Sequence, residues 1–415
     1  MSFESLGLEP RLLSAVDKMG YTDPTPIQRD AIPHVLEGRD VVGVAQTGTG
    51  KTAAFVLPML QRTPTRRGIR ALVITPTREL ATQIADVTRE ASRSTGHRSV
   101  VIFGGVGQKP QKDALRRGVD VVIACPGRLL DLHSQGAVDL SQVETLVLDE
   151  ADRMLDMGFW PDVRRILALL PAKRQNLLFS ATMASEVISV VDSVLTNPVR
   201  VETSPPAKPV DRVVQSVFPV CNTQKTDLLV ELLARHRGSR TLVFTRTKHR
   251  ADRVSRQLSK RGVRSEAIHG DRSQGQREKA LHAFKTGRSH VLVATDVVAR
   301  GIDIDRITHV VNYDIPHTAE DYVHRIGRTA RAGADGNAIS FLSPEEIEKL
   351  TTIEKHLNTV LACEDLEGFS YKSRTVPNPG RSARPVANSS AKPSSHRKRR
   401  GGRGRAGHSG GSSAA

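Results

Sequence analysis

The residues whose chemistry is easiest to identify lie in a short glycine-rich segment at positions 45–52. Gly48 and Gly50 allow the backbone to bend closely around an anion, because neither carries a Cβ. Lys51 adds a positive charge, and Thr52 adds a hydroxyl group that could bind a metal ion. Apolar residues precede the segment and a helical pattern follows it, so N–H groups at the start of that helix would point at the anion. This arrangement predicts a phosphate site, although an ordinary turn between a strand and a helix would look similar.

A second group of functional side chains is acidic and follows the apolar run Leu146–Leu148. Asp149 comes directly after that run. A carboxylate at this position, beside a phosphate site, is a suitable ligand for Mg²⁺. Glu150 is the next residue and could orient or deprotonate an attacking water molecule. The same residues could instead form the acidic start of an ordinary helix, because the helix dipole favours carboxylates there. Their position about 100 residues after the phosphate segment, in the same predicted domain, favours the first interpretation.

A third group is basic, and residues 324–331 have the sequence HRIGRTAR. Arginines in such a cluster can neutralise the charge that builds up on a phosphate during its transfer. The half of the chain that contains the cluster has no glycine-rich Lys-Thr segment of its own. We therefore expect a nucleotide between two domains, with the arginines approaching from the second domain. The alternative is the basic end of a surface helix.

The elements that would position these groups alternate along the chain. Residues 1–203 contain strand-like runs that are continuously apolar, which is typical of parallel strands buried on both faces. Helical patterns separate the runs, so we predict an open, doubly wound α/β domain with ligands at the carboxyl ends of its strands. The predicted strands are Asp40–Val44, Arg70–Thr75, Ser99–Phe103, Asp120–Ala124, Thr145–Leu148 and Asn176–Phe179.

Residues 212–366 repeat this alternation, and we predict a second domain of the same class there. Three prolines between Thr203 and Pro209 interrupt the pattern, so residues 204–211 are predicted to be an extended linker rather than a loop within one domain. Residues 367–415 are rich in Gly, Ser, Pro, Arg and Lys and are predicted to be disordered, because they cannot bury enough apolar surface to fold. The second domain's predicted strands are Val213–Val220, Thr241–Thr245, Ser265–Ile268, Val291–Thr295, His309–Asn312 and Asn337–Leu342.

The positive charge of the chain is concentrated at its C-terminus. The net charge is +17, and residues 371–415 contain eleven Lys and Arg and no Asp or Glu, which leaves +6 for residues 1–370. A basic tail favours a polyanionic partner, most often nucleic acid, although a tail that only improves solubility would have the same composition. No apolar run is long enough for a membrane span, and the N-terminus lacks a signal-peptide pattern. The three cysteines have no metal-ligand spacing, which is typical of reduced thiols in a cytoplasmic protein.

These motifs and their order resemble the DEAD-box RNA helicases over about residues 3–360. The resemblance implies two tandem RecA-like domains, of which the first binds ATP, and a basic tail. It implies RNA-stimulated ATP hydrolysis coupled to local, non-processive unwinding of RNA duplexes or remodelling of RNA–protein complexes. ATP and Mg²⁺ would be the cofactors, and single-stranded and duplex RNA would bind largely without regard to sequence. We further expect a cytoplasmic monomer that does not associate with a membrane. Ribosomal precursors or the RNA-decay machinery are expected among its partners.

The resemblance also implies the roles of residues at the nucleotide. The amide of Gln28 would pair with the adenine, and the ring of Tyr21 would stack on it. Thr52 and Asp149 would bind Mg²⁺, partly through water. The implied catalytic residues are Lys51, Asp149, Glu150, Arg328 and Arg331. The implied ATP-binding residues are Phe3, Tyr21, Gln28, Ala45, Gln46, Thr47, Gly48, Thr49, Gly50, Lys51, Thr52 and, for the ribose, Asp303.

Two further sets follow from the same resemblance. Residues that would couple the nucleotide state to strand separation are Ser180, Thr182 and Asp152. Residues that would contact RNA are Arg78, Gly105, Pro126, Gly127, Arg128, Arg246, Gly270, Thr295 and His324. The chain departs from the family at Cys125, where Thr is usual, and at Ala330, where Gly is usual. Because Cys125 lacks the hydroxyl group of threonine, we expect a modest loss of affinity for RNA.

Two other classes of function are compatible with the same residues. A DNA translocase could use the same pair of α/β domains, although the Gln28 motif and the acidic sequence favour RNA. An ATP-gated RNA clamp or assembly scaffold that does not unwind would need the same catalytic residues. A comparison of RNA with single-stranded DNA as activators of the ATPase distinguishes an RNA helicase from a DNA translocase. A duplex-unwinding assay distinguishes a helicase from a clamp or scaffold.

Overall fold

The computed structural model describes residues 2–45, 48–65, 68–203, 213–236, 238–296, 307–330 and 335–373, together with the pairs 375–376 and 384–385. The predicted linker at 204–211 lies outside these residues, as does the tail beyond 385. Four residues of the predicted site also lie outside them: Gln46, Thr47, Asp303 and Arg331.

The first domain is a seven-stranded parallel sheet covered by helices. Its strands are β1 (Val41–Val44), β2 (Ala71–Ile74), β3 (Ser99–Ile102), β4 (Val121–Ala124), β5 (Thr145–Asp149), β6 (Gln175–Ser180) and β7 (Val199–Glu202). Its helices are α1 (Pro10–Lys18), α2 (Pro26–Leu36), α3 (Lys51–Arg62), α4 (Arg78–Thr95), α5 (Lys109–Arg117), α6 (Pro126–Ser134), α7 (Ala151–Asp156), α8 (Trp160–Leu167) and α9 (Ser185–Val194), after a 3₁₀ turn at Phe3–Leu6.

The strands of this sheet lie in the order β3-β4-β2-β5-β6-β1-β7. All residues of β1, β2, β4, β5 and β6 are buried, because helices cover both faces of the sheet. Two separate apolar clusters result, one on each face. The first contains residues of α1 to α4, and the second contains residues of α6 to α9.

The second domain is built in the same way. Its strands are β8 (Val213–Pro219), β9 (Thr241–Phe244), β10 (Ser265–Ile268), β11 (Val291–Ala294), β12 (His309–Asn312), β13 (Gly336–Leu342) and β14 (Ala362–Cys363). Its helices are α10 (Lys225–Arg235), α11 (Lys248–Lys260), α12 (Gln274–Lys285), α13 (Ala319–Ile326) and α14 (Ile347–Leu357), with a 3₁₀ turn at Pro344–Glu346. A short antiparallel pair, β15 (Thr375–Val376) and β16 (Arg384–Pro385), follows.

The two sheets have the same topology. The second sheet has the order β10-β11-β9-β12-β13-β8-β14, which is the order of the first sheet with seven added to every strand number. Every strand pair in both sheets is parallel. The prediction of two tandem, doubly wound α/β domains is therefore confirmed.

The predicted strands match β1 to β6 and β8 to β13, with ends that differ by no more than one residue. The two edge strands β7 and β14 were not predicted. Three of the four residues of β7 and both residues of β14 are at least partly exposed, so neither strand has the continuous apolar run of a buried strand.

The packed part of the second domain extends beyond Leu366, where the sequence predicted the start of the tail. Tyr371 is buried in the apolar cluster beside α10, and its hydroxyl accepts a hydrogen bond from Leu366 N–H at 2.9 Å. The side chain of Gln224 donates to Ser370 O at 2.8 Å and accepts from Lys372 N–H at 2.7 Å. The second domain thus includes the packed segment 367–373.

Among the described residues, no helix combines the length and the apolar character that a membrane crossing requires.

Candidate active site

The phosphate segment connects the carboxyl end of β1 to the first residue of α3. Ala45 N–H donates to Ser180 O at 3.0 Å, which ties the start of the segment to β6. Gly50 lies immediately before α3 with φ of +90°. Only glycine adopts this conformation at no steric cost, and a Cβ at this position would also collide with Gln28.

Lys51 is the first residue of α3 and is 7% exposed. Within the part of the chain that the structure describes, its buried Nζ has no hydrogen-bond partner. A buried ammonium group needs an acceptor, because its desolvation is otherwise uncompensated. The N-terminus of a helix is also the place where backbone N–H groups attract an anion. Both observations fit a phosphate oxygen at Lys51.

Gln28 lies in the first turn of α2 and is buried against the phosphate segment. Its Nε2 donates to Gly50 O at 3.1 Å, and its Oε1 accepts from Thr25 N–H at 3.0 Å. Each end of the amide keeps one further hydrogen-bonding position, which is what adenine recognition would require. Nearby, the rings of Phe3 and Tyr21 are stacked with centroids 6.5 Å apart. Phe3 is buried in the core, whereas Tyr21 is partly exposed.

Asp149 ends β5 and is 2% exposed. Burial raises the pKa of its carboxyl to about 7, the charge of Lys51 opposes this rise, and the charge of Glu150 adds to it. Among the described residues, no cluster of three or more His, Cys, Asp or Glu side chains could hold a metal ion alone. The buried carboxylate of Asp149, near Lys51, instead suits a cation that shares its ligands with a phosphate and with water.

Glu150 adopts a left-handed conformation with φ of +56°, which costs a residue with a side chain about 1 to 3 kcal/mol. Its N–H donates to Asp149 Oδ1 at 3.1 Å. Its Oε2 accepts from Arg153 Nη1 at 2.9 Å, and both side chains are buried. The strained turn and the ion pair together fix the direction of the Glu150 carboxylate at the end of β5.

Asp152 connects this acidic segment to the end of β6. Its Oδ2 accepts hydrogen bonds from Ala181 N–H and Thr182 N–H, both at 3.1 Å, and from Thr182 Oγ1 at 3.2 Å. Thr182 N–H also contacts Ser180 Oγ at 3.4 Å. One carboxylate therefore holds the segment after β6 against the start of α7.

The second domain reaches the acidic segment through α13 and the residues after it. A pocket between the domains is lined by Glu150, Asp152, Arg153, Asp156, Ala181, His324 and Arg328. Arg328 is 5% exposed, and its Nε donates to His324 O at 3.3 Å. His324, for which the family resemblance implied contacts to RNA or between the domains, thus lies beside the predicted catalytic carboxylates.

The predicted RNA contacts of the first domain lie beyond the ends of β2, β3 and β4. Arg78 begins α4, and its guanidinium lies against Gly105, where a Cβ would collide with it. Pro126 begins α6, and no heavy atom lies within 4 Å of a Cβ added to Gly127. Arg128 Nη1 donates to Val106 O at 3.2 Å. These residues therefore lie at neighbouring strand ends of the same sheet.

Among the predicted RNA contacts of the second domain, Arg246 is paired within its own domain. Arg246 is bound to Glu346 Oε1 at 2.9 Å, although 37% of its side chain is exposed. Thr295 is 9% exposed, and the space around the Cβ position of Gly270 is open.

An ion pair between the domains was not predicted from the sequence. Arg277 on α12 contacts Glu79 on α4 at 2.6 Å, and their side chains are 8% and 1% exposed. No sequence motif indicates this pair, because Glu79 and Arg277 belong to separate segments that meet only through the positions of both domains. Cys125 lies close by. Burial raises the pKa of its thiol to about 12, and the charge of Glu79 acts in the same direction.

Arg325 was also missed, although it lies inside the predicted arginine cluster. It is 2% exposed, and it donates from Nε and Nη2 to the carboxylate of Asp296 at 2.6 and 2.7 Å. Its Nη1 donates to Asn312 Oδ1 at 3.1 Å and to Asp314 O at 2.7 Å. Since all three nitrogens are occupied, Arg325 holds the second domain together while Arg328 faces the pocket.

Two family models match the chain. The model described as DEAD/DEAH box helicase matches residues 25–190, and the model of the helicase conserved C-terminal domain matches residues 224–333. The chain is 42% identical to the DEAD-box ATP-dependent RNA helicase RhpA of Helicobacter pylori over 358 residues, which are 86% of this chain and 73% of that protein. It is 43% identical to the DEAD-box ATP-dependent RNA helicase CshA of Bacillus cereus over 355 residues, which are 85% and 68% of the two chains.

Solved structures give the same result. S. cerevisiae Dbp5 bound to RNA and ADP-BeF3 matches with a TM-score of 0.80 and 34% identity, over 88% of this chain and 95% of that one. Mss116p bound to single-stranded RNA and AMP-PNP matches with a TM-score of 0.79 and 27% identity, over 88% and 80%. A DEAD box protein from Methanococcus jannaschii has 37% identity over 88% of this chain and 99% of that one, but a TM-score of only 0.52. The chain as a whole therefore superposes better on these two RNA-bound structures than on the Methanococcus jannaschii protein.

Proposed function

The chain belongs to the DEAD-box family of ATP-dependent RNA helicases, and from this premise we propose how its own residues bind ATP, hydrolyse it and respond to RNA. The protein is an enzyme that couples ATP hydrolysis to work on RNA. We assign the ATP-binding domain to residues 1–203, the linker to 204–211 and the second helicase domain to 212–373. The last boundary follows the packing of Tyr371.

ATP binds to the first domain. The backbone N–H groups at the start of α3 bind the outer phosphates together with the buried ammonium of Lys51. The amide of Gln28 reads the adenine while it holds Gly50, so base recognition and the shape of the phosphate segment depend on the same side chain. Mg²⁺ bound through Thr52 and Asp149, partly by way of water, would neutralise phosphate charge.

Hydrolysis requires both domains. The carboxylate of Glu150 orients and deprotonates the attacking water, and Arg153 together with the turn fixes its direction. Arg328 and Arg331 approach from the second domain and stabilise the charge that develops on the γ-phosphate, a contribution of roughly 10³ to 10⁵ in rate for such arginines. The observation that carries this proposal is the shared pocket of Glu150, Asp152 and Arg328 between the domains.

RNA controls this reaction by favouring the closed arrangement. RNA would bind across the strand ends of both domains, with Arg78 and Arg128 on one side and Gly270 and Thr295 on the other. Binding that spans both domains stabilises closure, so RNA stimulates hydrolysis. The closed pair of domains accepts only one bent RNA strand, so it locally expels the other strand of a duplex. Asp152 and Thr182 connect the nucleotide to this event through the hydrogen bonds at the end of β6.

We further propose that the protein acts as a cytoplasmic monomer and that ribosomal precursors or decaying RNAs are among its targets. The high identity to the helicases of two bacteria supports a bacterial type of RNA metabolism.

The test of the proposed function measures ATP turnover with and without RNA in the wild type and in Glu150→Gln. We expect strong stimulation of the wild type by RNA and a loss of turnover of at least about 10²-fold in the variant, because the general base is removed. Asp162→Asn is the matched control, since it removes one carboxylate on α8 that pairs with Arg165 at the surface.

Turnover of the wild type that is independent of RNA would contradict the role of closure. A fully active Glu150→Gln variant would contradict the role of Glu150. The same assay with single-stranded DNA separates an RNA helicase from a DNA translocase, and strand release from a short RNA duplex separates unwinding from clamping.

A further inference from the structure

An open cavity of about 540 Å³ lies in the second domain, between the N-terminal ends of α10 and α11. It shares no residue with the pocket between the domains. Among the residues that line it are Asn222, Thr226, Thr247, Arg250, Arg253 and Tyr313. The cavity lies at the carboxyl edge of the second sheet, which is where open α/β sheets bind their ligands.

The strand register shows which part of the first domain corresponds to this cavity. The strands β2 and β9 end at equivalent points, because each is followed three residues later by a threonine that caps the next helix, Thr77 or Thr247. Next to β2, Ile74 is paired with Leu148 of β5, and next to β9, Phe244 is paired with Asn312 of β12. The residue after Asn312 therefore corresponds to the residue after Leu148. Tyr313 takes the position of Asp149.

The helices that follow the first strand of each sheet correspond in the same way. α3 begins with Lys51-Thr52 and α10 begins with Lys225-Thr226. Thr226 and Tyr313 thus occupy the positions of Thr52 and Asp149, the two proposed ligands of Mg²⁺. Their hydroxyl groups are in hydrogen-bond contact at 2.9 Å. The cavity is the counterpart, in the second domain, of the proposed ATP site.

The lysine of the second domain does not have the anion-binding role proposed for Lys51. Lys225 is fully buried, and its Nζ donates to Tyr313 O at 2.8 Å and to Glu346 Oε2 at 2.6 Å. Asp314 Oδ1 lies 3.7 Å away. Lys225 is therefore paired with acceptors inside its own domain, in contrast to Lys51.

Arginines of α11 supply the positive charge of the cavity instead. Arg250 is held by Asp314 at 3.2 Å and by Asn222 Oδ1 at 3.3 Å, and its guanidinium lies 5.3 Å from the centre of the Tyr313 ring. Arg253 is exposed and, within the described part of the chain, its side chain forms no hydrogen bond or ion pair. None of the residues that line the cavity is acidic.

We propose that this cavity is a second anion site, which binds the oligophosphate group of a small molecule such as a nucleoside polyphosphate or inorganic polyphosphate. Arg250 and Arg253 converge with the N-termini of α10 and α11 on one compact space, which suits a multiply charged group. Tyr313 at the position of Asp149 removes a metal ligand, so the arginines compensate the phosphate charge directly. The comparison of the domains rests on the proposed role of Lys51, but the site itself does not.

The chain contains four tyrosines, which allow a local test by fluorine NMR of the full chain labelled with 3-fluorotyrosine. Tyr313 lines the proposed site and Tyr21 lies beside the proposed ATP site, so the two sites give separate signals. Titration with inorganic triphosphate, in the absence of Mg²⁺, should shift the Tyr313 signal with saturation. Arg253→Glu should raise the apparent Kd for this shift about fivefold or more, because one charge-assisted contact becomes repulsive.

Arg256→Glu is the matched control, since Arg256 is an exposed arginine of α11 that does not line the cavity. An equal effect of Arg256→Glu would mean a diffuse basic surface and would overturn the proposal. So would the lack of a Tyr313 shift with triphosphate, or a shift that only single-stranded RNA produces. A failure of ATP to shift Tyr21 would count against the proposed function alone.

Discussion

Gly50 is the residue on which the phosphate segment and the adenine-recognising side chain both depend. Its φ of +90° suits only glycine, and Gln28 lies where a Cβ would be. We expect Gly50→Ala to weaken ATP binding at least about tenfold, because the left-handed backbone costs about 1 to 2 kcal/mol and the hydrogen bond from Gln28 is broken as well. Calorimetric titration with ATP measures the change.

Gly275→Ala is the control for this substitution. Gly275 lies in α12, and no heavy atom lies within 4 Å of the Cβ that would be added. ATP affinity should therefore be unchanged in Gly275→Ala. A Gly50→Ala variant that binds ATP as tightly as the wild type would show that the observed contact between Gln28 and Gly50 is not needed.

His309 makes the stability of the second domain depend on pH. Burial lowers the pKa of its imidazole to about 4, and the charge of His236, whose ring centroid lies 4.5 Å away, acts in the same direction. Below pH 6.5 the unfolded chain binds a proton at this position while the folded chain does not, so stability falls as the pH falls from 6.5 towards 4. The expected loss between pH 7 and pH 5 is roughly 2 kcal/mol.

Urea unfolding at pH 7 and pH 5 measures this effect. His309→Gln should reduce the difference between the two pH values, because glutamine does not titrate. The exposed His282→Gln on α12 should leave it unchanged. An unchanged difference in His309→Gln would assign the pH dependence to other groups.

At the scale of residues, the sequence predicted the groups that come directly after strand ends, such as Lys51, Asp149 and Glu150. These groups belong to contiguous segments whose order is informative by itself. The partner of Glu150 was not predictable, because the contact with Arg153 depends on the left-handed turn at Glu150. The same holds for Gln28, whose bond to Gly50 joins segments 22 residues apart.

At the scale of elements, the contact between α4 and α12 connects the two domains. Glu79 and Arg277 form a buried ion pair at 2.6 Å, and removal of one partner of such a pair leaves an uncompensated charge. Opening of the domains would return both groups to water, so we expect Glu79→Gln or Arg277→Gln to disfavour closure. Either variant should raise the RNA concentration for half-maximal ATPase activity about 5- to 30-fold, which corresponds to about 1 to 2 kcal/mol.

A double-mutant cycle tests whether this effect belongs to the pair. The double variant should cost clearly less than the sum of the two single variants, because the interaction can be removed only once. Effects that simply add would show that each residue acts through other neighbours. ATP binding to the first domain should stay unchanged in all three variants, since neither residue is among those proposed to bind ATP.

The strands with continuous apolar runs were predictable for a physical reason. Burial on both faces by helices demands apolar residues at every position, which is a clear pattern in β2 and β4. The edge strands β7 and β14 do not need apolar residues at every position, because their residues are mostly exposed. Their partner strands also lie far away in the chain, so no local pattern indicates them. The lack of a second glycine-rich segment led us to expect a nucleotide between the domains, but the contacts between the domains, such as Glu79 with Arg277, were not expected.

At the scale of the whole molecule, the C-terminal region divides into a packed segment and a basic tail. Residues 367–373 belong to the second domain through Tyr371 and Gln224. Residues 374–415 contain ten Lys and Arg and no Asp or Glu. We expect removal of residues 374–415 to weaken RNA binding and to reduce its salt dependence, by about 0.7 in the slope of log K against log salt for each RNA phosphate that the tail neutralises. Stability and ATPase activity at saturating RNA should stay the same.

Removal of residues 367–415 should have a further effect that has nothing to do with charge. It also takes away Phe369 and Tyr371, which pack against each other beside α10 with ring centroids 4.8 Å apart. The removal of a buried aromatic side chain costs roughly 3 kcal/mol or more, so the second domain should unfold at a lower urea concentration in this variant alone. If both truncations had the same stability and the same salt slope, the packed segment would not contribute to the fold. If the slope stayed at its wild-type value in both, the RNA-binding residues would lie entirely within residues 1–366.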